Sequence, residues 1–350
     1  MPEISEAELK KQIDSRNFER IYLLYGEEKY LVDVYSKKLI AKAAGDVFLD
    51  FNLQRFDGSS ASVDDIADAV QALPFMAERK CVAVSDFNPE SRSAQDMEKF
   101  SELLENIPDT TVLVLFLPSV IFEVKKSAKW RNFISAVGKI GGTVCLKKRS
   151  GADLEKLLCT AASKRFCSLS RQDAARIIFL CGDDLQTLYQ ELEKLCSYVG
   201  DGEITREIID LVVVKNMETT VFLLSKALIS GDYDKAYSLM DILFYQNEDP
   251  VSILAVLSSA YIDMYRVKAS LQSGKTFEEP AKYFEYKGKE FRLKNAEKDG
   301  RRLSIGMLRD SLNVLLETDL ALKSARISNR ILLEKLVAKL LLIAEKERIN

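Results

Sequence analysis

Ile21-Tyr22-Leu23-Leu24-Tyr25-Gly26-Glu27-Glu28-Lys29-Tyr30-Leu31 decides how the first half of this chain is read. Its first five residues carry no charge, as in a strand covered on both faces, and an apolar spacing near 3.6 takes over from Leu31. Four more runs repeat the strand signal, at residues 51–56, 81–84, 111–117 and 143–146. Between them the helical period returns over 31–44, 63–73, 97–107 and 126–140. Alternation of this kind predicts an open parallel sheet with helices on both faces, an α/β domain over residues 1–148.

Past Lys147-Lys148-Arg149-Ser150-Gly151 the strand signals stop. Residues 149–213 read as a small helical bundle. Ser170 is expected to cap one helix ahead of Asp173. Gly182-Asp183-Asp184 opens another, with Leu185, Leu188, Leu192, Leu195 and Cys196 on one stripe. Glu191 and Lys194, three apart, are expected to meet on its exposed side. Residues 214–350 are again helical, near 221–230, 233–245, 251–273, 307–324 and 331–346, with an irregular charged and aromatic stretch at 276–304. The expected fold is one α/β domain followed by two all-α domains.

Composition narrows the chemistry. The 350 residues suffice for two or three domains. Lys+Arg 50 against Asp+Glu 53 leaves −3, so no global positive charge draws the molecule onto nucleic acid. The charge is uneven, however: residues 261–350 carry +6 and the remainder −9. The chain has 0 His, which excludes Ser-His-Asp and Cys-His nucleophiles, His metal ligands and imidazole bases. The six cysteines form no CxxC pair and no zinc spacing, and their neighbours are apolar, so buried reduced thiols are expected. Neither a signal-peptide core nor an uncharged run of about 20 apolar residues occurs, so a cytoplasmic protein without membrane contact is expected.

An α/β domain ahead of a helical bundle suggests an AAA+-type ATPase, and the phosphate site is the place to test that. A phosphate loop follows the first strand with Gly-rich amides, a Lys and a Ser/Thr. Here that position holds Gly26, Glu27, Glu28 and Lys29: one glycine and two carboxylates where an anion needs amides. Glutamates at a helix N-terminus satisfy its dipole themselves and so compete with a phosphate. No GxxxxGK[ST] occurs in the chain. After the strand at 81–84 stands Asp86, but Phe87 fills the place of the second acid that would hold Mg²⁺. The nucleotide site reads as degenerate, and neither a catalytic group, a metal nor a cofactor is expected.

Four segments in order carry a family likeness. They are residues 21–31 above, then Phe51-Asn52 through Phe56-Asp57-Gly58, then Leu73-Pro74-Phe75-Met76-Ala77-Glu78-Arg79-Lys80, then Gly182-Asp183-Asp184-Leu185 through Leu195. With Ala227 to Asp232 and Glu248 to Leu254, the chain over nearly its whole length resembles the delta subunit of bacterial DNA polymerase III, a clamp-loader component. The resemblance implies an AAA+-like domain at 1–148 that binds the clamp without hydrolysing ATP. It implies a small helical lid at 149–213 and a helical collar at 214–350. It also implies membership of a holoenzyme whose nucleotidyltransferase chemistry lies in other subunits. The implied partners are the sliding clamp (beta subunit), the gamma/tau ATPase subunits and delta-prime.

By the same resemblance Leu73, Pro74, Phe75 and Met76 form an apolar wedge that enters a pocket on the clamp. Pro74 ends the preceding helix, because the residue before a proline is pushed out of the helical region. A rigid aromatic beside a flexible Met suits an interface hot spot. The residues alone also allow Phe75 and Met76 to fold back on the sheet edge. Lys282, Lys287, Lys289, Arg292 and Lys294, interleaved with aromatics, and then Arg301 and Arg302, could contact DNA or a partner subunit. Interspersed acids leave a plain solvated surface equally open, so DNA contact is expected to be indirect or weak. Two rival functions remain: an active ATPase of the same fold, and a helical adaptor outside replication.

Overall fold

The computed structural model describes residues 3–122, 126–287, 289–324 and 327–349. The chain divides into two units, Met1–Leu154 and Glu155–Asn350. In the first, strands β1 (Ile21–Tyr25), β2 (Leu53–Asp57), β3 (Lys80–Ser85), β4 (Thr111–Phe116) and β5 (Gly142–Cys145) pair in the order β2-β3-β4-β1-β5. All four pairings are parallel, with Leu23 level with Leu115 on one side and Thr143 on the other. Helices α1 (Glu6–Ser15), α2 (Lys29–Ala44), α3 (Leu49–Asn52), α4 (Val63–Gln71), α5 (Ala94–Glu105) and α6 (Ala128–Ile140) accompany the sheet. Strand β1 is buried at every residue, whereas edge strand β2 has none buried. One core layer joins Val82, Val84, Leu113 and Leu115 to stacked rings, with Phe87 4.5 Å from Phe100 and 5.6 Å from Phe133.

This is the open parallel α/β architecture that the alternation implied, with two local departures. Helix α1 has no counterpart in the sequence reading, since only Leu9, Gln12 and Ile13 are buried along it and the apolar stripe is thin. Phe51 and Asn52, expected at the start of a strand, belong to α3, and β2 starts at Leu53. Phe48, in the left-handed region (φ 46°), turns the chain into that single helical turn.

The second unit is built from helices, with α7 (Gly151–Ser163) crossing the division. Then follow α8 (Arg171–Cys181), α9 (Leu185–Val199), α10 (Arg206–Val212), α11 (Met217–Ser230), α12 (Tyr233–Tyr245) and α13 (Pro250–Gln272). After a 3₁₀ turn at Glu279–Lys282 come α14 (Phe291–Gly300), α15 (Ile305–Ser324) and α16 (Asn329–Ile349). One addition is a two-residue parallel pair, β6 (Cys167–Ser168) with β7 (Gly202–Glu203), too short for any periodic signal. Ser170 caps α8 by accepting from the Asp173 N–H at 3.1 Å.

Glu191 departs from its expected exposed position: it is buried. One carboxylate oxygen pairs with Lys194 at 2.7 Å, and the other accepts from the Val214 N–H at 3.2 Å. Asn216 N–H to Leu180 O (2.9 Å) and Thr219 Oγ1 to Phe179 O (2.8 Å) join α8 to the start of α11, which lie within one unit. Leu224, Leu228, Leu243, Leu257, Tyr261, Leu308 and Leu336 form its main core. All six cysteines are free, four buried and Cys145 and Cys159 half-buried. Among the described residues no helix is long and apolar enough to cross a membrane, and no cluster of acids and thiols could hold a metal.

Candidate functional site

Ligands of open α/β sheets bind outside the carboxyl ends of the strands. At the end of β1 the chain turns through Gly26 (φ 142°) and lies against the segment after β5. Leu146 N–H donates to Tyr25 O at 2.7 Å, and Glu28 N–H donates to Leu146 O at 3.0 Å. A Cβ on Gly26 would collide with that same Leu146 carbonyl. The turn that would curl around a phosphate is thus laced to the neighbouring strand. Glu28, buried, starts α2, and Glu27 is exposed beside it.

Lys29 points to backbone. Its Nζ donates to Leu117 O at 2.8 Å and Val120 O at 2.7 Å, and burial lowers its pKa while the Asp86 charge opposes that shift. Asp86 (φ 50°) accepts from the Ser119 N–H at 2.9 Å and the Val120 N–H at 3.1 Å. One lysine and one carboxylate therefore strap the loop after β4 across the sheet's end, satisfying each other's polar neighbours. Phe87, in the place of a second acid, is fully buried in the ring stack. Lys29 and Asp86, the two charged groups nearest the end of β1, are thus both engaged by the loop after β4.

A second feature lies past α4. Gln71 Nε2 donates to Asn106 O at 2.9 Å, and the buried Lys80 Nζ donates to Ala69 O, so the last turn of α4 is fixed from two sides. Burial lowers the pKa of Lys80. Ala72 leaves the helix (ψ 142°), and Leu73 and Met76 are 82% and 76% exposed. Phe75 sits lower, at 45%, its ring 5.3 Å from Phe48 edge-on and 5.0 Å from Phe51. Val47, Phe48, Leu49 and Phe51 are themselves exposed. The four sequence-derived residues thus adjoin a second apolar stretch, Val47 to Phe51, which a strand over residues 51–56 does not reveal.

Beneath both lies Asn52, fully buried. Its Oδ1 accepts from the Phe75 N–H at 2.7 Å, and its Nδ2 donates to Phe75 O at 2.8 Å and Val47 O at 3.0 Å.

The charged aromatic stretch is folded back on α13. Arg292 pairs with the buried Asp263 (Nη2 to Oδ2 2.6 Å) and also donates to Ser259. The Tyr286 hydroxyl donates to Asp263 Oδ1 at 2.5 Å, and Arg266 lies 3.5 Å over the Phe284 ring. Lys282 pairs with Glu279 at 2.9 Å. Lys287, Lys289, Lys294, Arg301 and Arg302 are exposed. Arg292 therefore serves an internal ion pair, and Tyr286 is buried, so the interleaved cations and rings do not form one open surface.

Two family models match the chain, "DNA polymerase III, delta subunit" over residues 22–133 and "DNA polymerase III delta subunit, C-terminal domain" over 218–340. The DNA polymerase III subunit delta of Bacillus subtilis (strain 168) is 26% identical over 334 residues, 93% of this chain and 94% of that protein. A probable DNA polymerase III subunit delta of Aquifex aeolicus is 22% identical over 264 residues, 73% of each. Among solved structures, the Bacillus subtilis DNA clamp loader delta protein has the same fold, with a TM-score of 0.62 at 23% identity, covering 96% of this chain and 99% of that one.

Proposed function

Since this chain belongs to the DNA polymerase III delta subunit family, we propose that it binds the sliding clamp through the apolar turn at 73–76 and opens it for loading onto primed DNA. The observation that carries this reading is the exposure of Leu73 and Met76 on a turn whose base is held rigidly. Apolar side chains projecting from a fixed backbone lose little freedom on docking, which is how a small contact becomes an interface hot spot. Phe75 is the anchor of the wedge, and the exposed rings of Phe48 and Phe51 extend the face on one side.

The subunit acts without hydrolysing ATP. Lys29 and Asp86 are committed to the loop after β4, and Gly26 and Glu28 are pressed on Leu146, which supports a nucleotide site closed by the fold. Within the chain the division is 1–148 for the clamp-binding domain, 149–213 for the lid and 214–350 for the collar. The collar would join the gamma/tau ATPase subunits and delta-prime, and exposed Leu316, Leu320, Ile331 and Leu342 supply apolar surface for that. DNA contact is indirect or weak, and the setting is the cytoplasm. ATP-driven assembly favours the wedge-exposed arrangement and hydrolysis in the partners disfavours it, a population shift.

The test is a titration against the sliding clamp of the same organism. Leu73→Ala with Met76→Ala should weaken binding more than about tenfold, with a melting temperature moved by no more than about 2 °C. Unchanged affinity would refute the wedge. ATP should fail to bind the purified chain; micromolar affinity would favour the active ATPase instead.

A further inference from the structure

Residues 73–78 receive little from regular structure. Among the described residues their only hydrogen bonds are the two that Asn52 makes with the backbone of Phe75. The carboxamide meets that backbone as a neighbouring strand would, accepting from the N–H and donating to the C=O. Its remaining Nδ2 hydrogen goes to Val47 O, so both hydrogens and the oxygen are used. A fully satisfied, fully buried amide has one orientation, since every alternative leaves a polar group unpaired. Met76 follows in the left-handed region (φ 49°), and its side chain is exposed.

We propose that Asn52 is the positioning residue of the clamp-binding wedge: its side chain, 23 positions away in sequence, sets the backbone that presents Leu73 and Met76. This rests on the wedge reading above. No other side-chain type fits the role. Asp has no hydrogens for Val47 O and Phe75 O, Ser is too short to span both, and Gln adds a methylene to a filled site. The same residue ends α3, whose Phe51 and preceding Phe48 flank the Phe75 ring, so one residue coordinates the backbone and the aromatic support together.

The full chain is titrated against its purified sliding clamp as Asn52→Ala and Asn52→Ser, alone and combined with Leu73→Ala, and the exchange of the Phe75 amide hydrogen is followed. Both Asn52 variants should bind at least about tenfold more weakly while melting well above the assay temperature. Leu73→Ala should cost far less in the Asn52→Ala background than in the parent, because a misplaced Leu73 has little left to lose. The Phe75 amide should exchange at least about tenfold faster in the variants. Affinity within about twofold of the parent in both Asn52 variants, beside a large loss for Leu73→Ala, overturns the inference and leaves the wedge reading intact. Full additivity also overturns it, since that is the mark of a general structural role. Should both variants fail to fold, the parent decides: a Phe75 amide no better protected than that of Leu73 refutes the clamp. If Leu73→Ala costs nothing, the wedge reading falls and the inference with it.

Discussion

At the scale of single residues, groups that look poised for external ligands are spent inside the protein itself. Lys29 has the residue type and place of a phosphate lysine, yet its ammonium binds two carbonyls after β4. Arg292 stands in a segment suggestive of a nucleic-acid surface, yet it neutralises Asp263, which also accepts from the Tyr286 hydroxyl. Removing one partner of a buried pair leaves an uncompensated charge. Arg292→Ala should therefore lower stability by about 2–3 kcal/mol, tempered by the partial exposure of the guanidinium. Denaturant unfolding checks this; a loss below about 0.5 kcal/mol would assign Arg292 to an external partner. Sequence could name these residues but not their duties, because Arg292 meets Asp263 29 positions away and Lys29 meets Val120 91 away, with no period linking them.

Elements were far more legible. All five sheet strands and the longer helices between them, α2, α4, α5 and α6, followed from a switch of period between continuous apolar runs and 3.6-residue spacing, since burial on two faces or one stripe is written directly in residue order. The capping of α8 was equally plain, Ser170 accepting from the N–H three residues on. Ser170→Ala should cost about 1 kcal/mol in the second unit, read as a shift of its denaturant midpoint. No shift would mean that the helix start is fixed by packing alone. What escaped were elements with too few buried residues to make a pattern: α1, the four-residue α3 and the β6–β7 pair. Glu191 escaped for a different reason. Its spacing from Lys194 was right, but the main chain at Val214 drew the carboxylate inward.

For the molecule as a whole, burial dictates how stability responds to pH. Burial pushes the Tyr22 and Tyr35 hydroxyls and the Cys81 and Cys181 thiols each up to about 12, from 10.0 for tyrosine and 9.0 for cysteine. The folded chain keeps these protons at a pH where the unfolded chain releases them. Stability is therefore complete below about pH 9 and falls as pH rises toward 12, by up to about 1.4 kcal/mol per unit for each group involved. Unfolding titrations at successive pH values should trace that decline, and stability unchanged to pH 11 would refute it. The sequence by itself determined the order of strands and helices, the lack of histidine chemistry and the lack of a phosphate loop, because composition and period are local quantities. Only the tertiary structure decided what Lys29 and Asp86 hold, what fixes the apolar turn and which cations face inward. Those are matters of hydrogen bonds between distant segments, whose partners are chosen by the packed backbone and leave no trace in neighbouring residues.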